Sequence, residues 1–571
     1  MKILGIADSH DAGAAIIEDG IIIAAVNEER LNRIKLCWGF PHDAIKEVCR
    51  IAKIQPHDID VIAIATKYSQ FSSCAKDPEE AAQMLDAERN FIASTSKVLG
   101  PFFRTSIWKE MQKKILYLRG GERQSAIKKI LREQYGFTCP VEFVEHHLSH
   151  AASAYYTAGK DQALVITADA HGDALCGSVS IGNNGKMNRL MELGSYNSIA
   201  RYYAYVTEIC GFKPNRHEGK ITGLAAYGQP IYADEFTKMI RYQNGKIVNK
   251  LNGKHHSAIK QIKERMPGWT RENISASIQV HLEKQMTAFV QYWVRKTNVR
   301  DVVCAGGLFA NVKLNQRILE LEEVNSIFVH PHMGDGGIGV GAALAVYAEK
   351  QGFNNIPTLR HAYLGPEFSD KDIKEEIEKM GLPSKKITNK DIGKLLADGK
   401  VVGIFKGRME YGPRALGNRS IFYEPIDKSV NDWLNKNLNR TEFMPFAPTT
   451  LYEHAEEAYK NCEGGKHTAT FMTITFDCTD KMKKECPAVC HIDDTARPQL
   501  VSKDINKNAY EIITEFKRRT GLHSVVNTSF NMHEEPIVCT PNDALRSFLQ
   551  GKLDALVVGN FLVESKSRRR I

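Results

Sequence analysis

Twice along the chain, an apolar strand runs into an acidic turn, then a second strand, a tight turn and more apolar chain. The first copy runs from Ile3 through IADSHDAGAAIIEDG to Val26, and the second from Ala163 through ITADAHGDALCGSVSIGNNG to Leu193. In each, β-forming residues lead to an aspartate at the strand end, Asp8 or Asp169. A two-residue hairpin signal follows, Asp19-Gly20 or Asn184-Gly185. Between the copies, from about Tyr68 to Gln134, charges at helical spacing predict a helical insertion. After the second copy, VVCAGG and SIFVHP read as strands, each leading into a helix (FANVKLNQRILEL and IGVGAALAVYAEK). The irregular stretch NNIPTLRHAYLGPE then suggests a boundary near residue 358, giving domains 1–357 and 358–571.

Two such meanders imply an α/β fold of two similar lobes, the actin-like, sugar-kinase-like arrangement. In that arrangement the acidic turns meet where a nucleotide phosphate and its metal are held. A length of 571 residues calls for two or three domains, and 43% hydrophobic residues suffice to fill them. The net charge of +9, from 76 basic and 67 acidic residues, is mild and dispersed apart from the tail KSRRRI. It favours anionic small substrates and makes nucleic acid an unlikely partner. Twelve cysteines without a CxxC pair suggest reduced thiols, and no signal peptide or membrane-length apolar run is seen. The expectation is a soluble, cytoplasmic protein.

Candidate chemistry gathers on a few short segments. In HHLSHAASAYY, His146 and His150 fall one helical turn apart on one face, the spacing that lets two imidazoles bind one divalent metal. Asp169 at a strand end and Asp335 in the loop MGDGG sit where further carboxylate ligands would be supplied. Two His and two Asp suit iron, manganese or zinc better than calcium. Gly306-Gly307 and Asn311 at a strand-to-helix junction, Lys220 in HEGKITGLAAYG and Asp173 in the second acidic turn are the nucleotide-binding candidates. In the first acidic turn, His10 is placed to take a proton from a substrate hydroxyl, with Asp8 to orient it and Asp11 alongside.

The second half carries GIFKGRMEYGPRALGNRS, with Lys406, Arg408, Arg414 and Arg419 near glycines. Further on come Arg497 in TARPQ and the run NTSFN, containing Asn527, Thr528 and Ser529. Arginines in glycine-rich turns beside hydroxyl and amide donors describe a site for phosphate or a planar carboxylate-like anion.

Taken in order, HDAGAA, EHHLSHAASAYY, EGKITGLAAYG, GGLFANVKLN, GDGGIGVGAAL, GRMEYGPRALGNRS, MPFAPTTL and NTSFNMHEEPIVCTP resemble the NodU/CmcH-type O-carbamoyltransferases. The likeness spans nearly the whole chain except the helical insertion. It implies an actin-like N-terminal domain (ASKHA, a duplicated ribonuclease H-like fold) and an α+β, YrdC-like C-terminal domain. It also implies a reaction in which carbamoyl phosphate and ATP give carbamoyl-adenylate in the C-terminal domain. The N-terminal domain then moves the carbamoyl group to a hydroxyl of a small molecule or glycan. By the same resemblance, His146, His150, Asp169 and Asp335 are the metal ligands, with ferrous iron the metal and magnesium accompanying ATP. His10 is the base, and Arg414, Arg497 and Ser529, with Arg440, Asn527 and Thr528, hold the donor.

One departure has chemical weight. Where the family pattern runs roughly Lys-x-Arg-Glu-x-Phe-Arg, this chain has Leu438-Asn439-Arg440-Thr441-Glu442-Phe443-Met444, so Arg440 is kept and two cations are lost. Charge-assisted hydrogen bonds contribute roughly 1.5–3 kcal/mol each, so either Lys406 or Lys436 compensates or the donor pocket is altered. Two other readings compete with a small-molecule carbamoyltransferase: carbamoylation of a nucleoside or tRNA, and a nucleotide-binding regulatory protein with a lapsed donor site.

Overall fold

A computed structural model describes residues 1–68, 98–438 and 446–565. Arg440, Met444 and the tail KSRRRI lie outside the described residues, as does the first part of the expected insertion. The chain divides into two compact units, one of Met1–Ala25 with Leu36–Leu359, the other of Val26–Lys35 with Arg360–Ile571.

The first unit holds two five-stranded sheets. β1 (Lys2–Ala7), β2 (Gly13–Glu18), β3 (Ile21–Asn27), β4 (Val61–Ala65) and β5 (Val141–Val144) lie in the order β3-β2-β1-β4-β5. β6 (Gln162–Gly172), β7 (Leu175–Asn183) and β8 (Lys186–Gly194) are followed by a separate hairpin, β9 (Ile240–Gln243) and β10 (Lys246–Asn249). With β11 (Asp301–Ala305) and β12 (Ser326–Val329), the first three complete the order β12-β11-β6-β7-β8. Both sheets thus repeat one pattern: the first strand pairs antiparallel with the second and parallel with the fourth, which pairs parallel with the fifth. The two hairpin turns adopt the conformation their residues favour, with positive φ at Asp19 (48°) and Gly20 (86°) and at Asn184 (45°) and Gly185 (78°).

Two buried helices bring the sheets' loops together. His146–Thr157 packs on β6, β7 and β11, and Ile338–Gln351 packs on β1, β2 and β4. Ile338–Gln351 is apolar on nearly every face, as a helix enclosed on all sides must be. The two helices also pack against one another, and Gly341 permits their close approach: a Cβ there would stand 1.8 Å from the Ser149 carbonyl oxygen. The long helix Ser106–Tyr135 forms the described part of the insertion; Thr105 caps its start and Gly136, in left-handed backbone, ends it.

The second unit is a mixed eight-stranded sheet. Its strands are β13 (Lys385–Lys386), β14 (Val402–Phe405), β15 (Arg419–Tyr423), β16 (Ala447–Leu451), β19 (Gln499–Val501), β20 (Ser524–Ser529), β21 (Ala555–Val558) and β22 (Phe561–Glu564), in the order β13-β22-β21-β14-β15-β20-β16-β19. A short pair, β17 (Phe476–Asp477) and β18 (Thr495–Ala496), stands apart. The N-terminal segment Val26–Lys35 is built into this unit: Arg30 donates to the Gly412 carbonyl (2.7 Å), and Arg33 to those of Pro536 and Ile537 (2.7 Å each). Among the described residues, no helix is long and apolar enough to cross a membrane.

Candidate metal centre and the loops around it

The helix His146–Thr157 begins under tight control. The Glu145 carboxylate caps it, accepting from the backbone of His147 (2.9 Å) and Leu148 (2.8 Å), while Asp173 accepts from the backbone N–H of His146 (2.9 Å). Carboxylates at a helix N-terminus satisfy its otherwise open N–H groups and complement its dipole. The imidazoles of His146 and His150 therefore project from a fixed first turn, both buried.

Asp169 reaches them through an irregularity in β6. The β6–β7 register shifts between Ala168 and Gly172, so Asp169–His171 leave the regular ladder. Such a bulge re-aims a side chain that strict alternation would send elsewhere. Asp335 enters from the loop that starts the helix Ile338–Gln351. His150 Nε2 lies 3.1 Å from Asp169 and 3.4 Å from Asp335; His146 Nε2 lies 3.7 and 3.6 Å from the same carboxylates. One ligand atom from each of the four falls within 4.8 Å of all the others.

This donor set fits a divalent transition metal. With ligands about 2.1 Å from the ion, neighbouring donor atoms stand roughly 3.0–3.4 Å apart, close to the separations seen. His146 Nε2 is buried without a hydrogen-bond partner among the described residues, while its Nδ1 faces Thr66 Oγ1 at 3.4 Å, leaving Nε2 for coordination. Burial pushes the His146 imidazole down, but Asp335 and Asp169 outweigh it and hold it up at about 9. Asp169 stays well below the usual carboxylate range, because the two imidazoles overcome its burial. Two half-buried carboxylates thus face two buried imidazoles at this point, a grouping whose charge either protons or a cation can balance. His147 is different: burial drives it down to about 3, and its Nδ1 bonds Thr167 Oγ1 at 2.9 Å, so it is a neutral prop between helix and β6.

The other first-unit candidates occupy more structural positions than expected. Asp8 does not orient His10. Its two oxygens accept from Arg123 Nη2 at 2.6 and 2.7 Å, and burial pushes its carboxyl up against the pull of that guanidinium. His10 is half-buried, its ring edge-on to Trp38 with centroids 5.2 Å apart. Asp11 meets His332 Nε2 at 3.2 Å. Asp173 spends its oxygens on the backbone N–H groups of Lys67, Tyr68 and His146 (2.7–2.9 Å). Gly306 (φ 106°) makes room for β6 itself, since a Cβ there would lie 2.2 Å from the Ala168 carbonyl oxygen; a Cβ on Gly307 would lie 3.2 Å from Asp169 Oδ1. Asn311 caps the helix Val312–Leu319 and exchanges hydrogen bonds with Gln279, and Lys220 lies 5.4 Å from the centre of the Phe212 ring.

In the second unit, Asn527 Nδ2 on β20 donates to Ala415 O (3.2 Å), Thr449 Oγ1 (2.9 Å) and Gln499 Oε1 (3.1 Å). It thereby draws the Arg414 loop and the start of β19, two residues beyond Arg497, to the strand that carries Thr528 and Ser529. Its Oδ1 is buried with no partner among the described residues. Glu410, which the sequence reading missed, shapes the Arg414 loop: one oxygen accepts from the backbone of Leu416, Asn418 and Arg419 (2.8–3.0 Å). The neighbouring cations turn inward. Lys406 donates to Gly559 O and Asn560 Oδ1, Arg408 to Leu364 O and Gly365 O, and fully buried Arg419 to Gly407 O, Asn418 O and Pro366 O. Leu438 is likewise fully buried, packed where a Cβ on Gly551 would lie 3.0 Å from it.

Comparison with known proteins agrees over most of the chain. Residues 2–344 match the family model for the carbamoyltransferase N-terminus, and residues 393–565 that for the carbamoyltransferase C-terminus. An uncharacterised protein of Methanocaldococcus jannaschii is 31% identical, covering 99% of this chain and 100% of its own. The nodulation protein NolNO of Sinorhizobium fredii is 32% identical, over 98% of this chain and 79% of that one. The solved structure of full-length HypF in its phosphate- and nucleotide-bound form is 12% identical, covers 62% of this chain and 56% of that one, and has a TM-score of 0.33, too distant to carry weight. With both halves matched in order, the chain belongs to the carbamoyltransferase family and is a transferase.

Proposed function

We propose that the protein forms carbamoyl-adenylate from carbamoyl phosphate and ATP, with uptake of water and release of phosphate and pyrophosphate, and transfers the carbamoyl group to a hydroxyl of a small molecule or glycan with release of AMP. The observation that carries this reading is the convergence of His146, His150, Asp169 and Asp335 from a helix, a strand bulge and a loop. The repeated strand order supports an actin-like first domain, and the sheet with its Arg414 loop supports a YrdC-like second domain in which the donor is activated.

In the second domain, Arg414 and Arg497 would bind the donor's phosphate, with Ser529 and Asn527 supplying neutral polar contacts. In the first, His146, His150, Asp169 and Asp335 would hold ferrous iron. When bound, the metal supplies Lewis-acid polarisation of the carbamoyl donor. His10 would accept the proton of the attacking hydroxyl, raising the nucleophilicity of its oxygen. The half-buried ring stands edge-on to Trp38.

The test is conversion of ATP to AMP that depends on carbamoyl phosphate, followed by mass spectrometry of candidate acceptors for the gain of a single carbamoyl group. His10→Asn is expected to form carbamoyl-adenylate with release of pyrophosphate and to fail in transfer. Absence of carbamoyl phosphate-dependent AMP from the Fe(II)-loaded wild type would overturn the reaction. Unaltered transfer by His10→Asn would remove the histidine from it.

A further inference from the structure

The long helix Ser106–Tyr135 lies outside the motifs that carry the family likeness, yet it reaches the centre of the first unit. We infer that Arg123 from this helix, with His332 as a second anchor, is a positioning residue that holds the Asp8–Asp11 turn, and with it His10, in register with the His146/His150/Asp169/Asp335 cluster. The inference rests on the metal-dependent transfer proposed above.

Arg123 is 3% exposed and Asp8 2%. One guanidinium nitrogen of Arg123 holds both Asp8 oxygens, and the other donates to the Thr66 carbonyl at 3.0 Å. Thr66 Oγ1 in turn faces His146 Nδ1 at 3.4 Å. Thr66 has φ 80°, a left-handed conformation costly for a β-branched residue, and it persists only where surrounding bonds over-determine it. A continuous path therefore runs from Asp8 through Arg123 and Thr66 to one imidazole of the cluster.

A second contact ties the other end of the turn. Asp11, itself at φ 56°, meets His332 Nε2 at 3.2 Å, and both are buried. His332 belongs to the loop that delivers Asp335. His10 sits between these two anchored carboxylates, and the turn's backbone is further tied by Ala12 N–H to Cys37 O (3.0 Å) and Gly39 N–H to Ser9 O (3.3 Å). The helix is docked independently of Asp8, because Lys109 and Lys113 both reach Glu192 on β8 (2.8 and 2.7 Å). Residues that orient a metal's ligands from behind typically change metal affinity or activity 10–100-fold when removed.

The test uses the full chain and Co(II) as a spectroscopic probe. Arg123→Gln is expected to weaken Co(II) binding about 10–100-fold and to alter its visible absorption. It should also lower kcat for transfer over a similar range while leaving KM for carbamoyl phosphate at the wild-type value. Arg123→Lys should recover part of both, and His332→Gln should shift both in the same direction as Arg123→Gln. The pair Asp8→Asn with Arg123→Gln leaves no buried charge unmatched and guards against simple misfolding. If that pair folds and binds Co(II) as tightly as wild type, or if Arg123→Gln and His332→Gln both match wild type, the positioning role is refuted. Wild-type protein that binds no Co(II) would instead refute the metal-dependent reading on which the inference stands.

Discussion

The turn that follows β1 and the irregular stretch of β6 occupy the same place in two copies of one sheet; the first presents buried Asp8, the second half-buried Asp169. In the first copy Asp8 is neutralised by the fixed guanidinium of Arg123. In the second, Asp169 faces two imidazoles and another carboxylate, the candidate metal cluster. The backbone is alike; the source of positive charge differs. The duplicated scaffold thus carries a candidate metal cluster in one copy and an arginine–carboxylate ion pair in the other.

Three interventions would break or sharpen that contrast. The largest effect is expected from Asp169→Asn, which should cut Fe(II) or Co(II) affinity by more than about 100-fold, beyond what loss of an outer partner costs; metal titration reads it, and wild-type affinity would dissolve the distinction between the turns. Next, Asp8→Asn leaves the Arg123 guanidinium buried without its counter-charge, so stability in urea should fall by about 3 kcal/mol or more. Its metal affinity should fall much less than that of Asp169→Asn, and an equal loss would make the two aspartates functionally alike. The smallest effect concerns the tether of the helix that brings Arg123. Burial resists ionisation of Glu192, but Lys109 and Lys113 pull it from 4.5 down to about 2. A depressed carboxylate contributes its stability above the unfolded value, so the tether should hold above about pH 4.5 and fade as pH falls through about 2. Hydrogen exchange within Ser106–Tyr135 would follow this, and Glu192→Gln should reproduce the loosening at neutral pH.

What could be read from the sequence was chiefly local. The Asp19-Gly20 and Asn184-Gly185 turns depend on two adjacent residues that tolerate positive φ, and the spacing of His146 and His150 depends on one helical turn. That Asp335 would join them was legible only from its place in the glycine-rich loop MGDGG before a helix and from the family resemblance. Arg123 escaped because a charged helix looks solvated when its partner, Asp8, is 115 residues away. The second half shows the converse. Lys406, Arg408 and Arg419 read as an anion site, yet each satisfies backbone carbonyls, and composition does not separate a guanidinium facing a ligand from one that seals a loop. Leu438, read as a lost phosphate-facing cation, is a core residue beside Gly551. Isothermal titration with carbamoyl phosphate should accordingly show that Leu438→Lys fails to tighten donor binding.

The short segment Val26–Lys35 has a consequence for how the polypeptide is made and dissected. It precedes by hundreds of residues the carbonyls that receive Arg30 and Arg33, those of Gly412, Pro536 and Ile537. The segment therefore finds its sockets only once the later residues have been made, and a fragment beginning at Arg360 would carry them empty. Separate expression of that half should succeed only when a peptide spanning 26–35 is supplied with it.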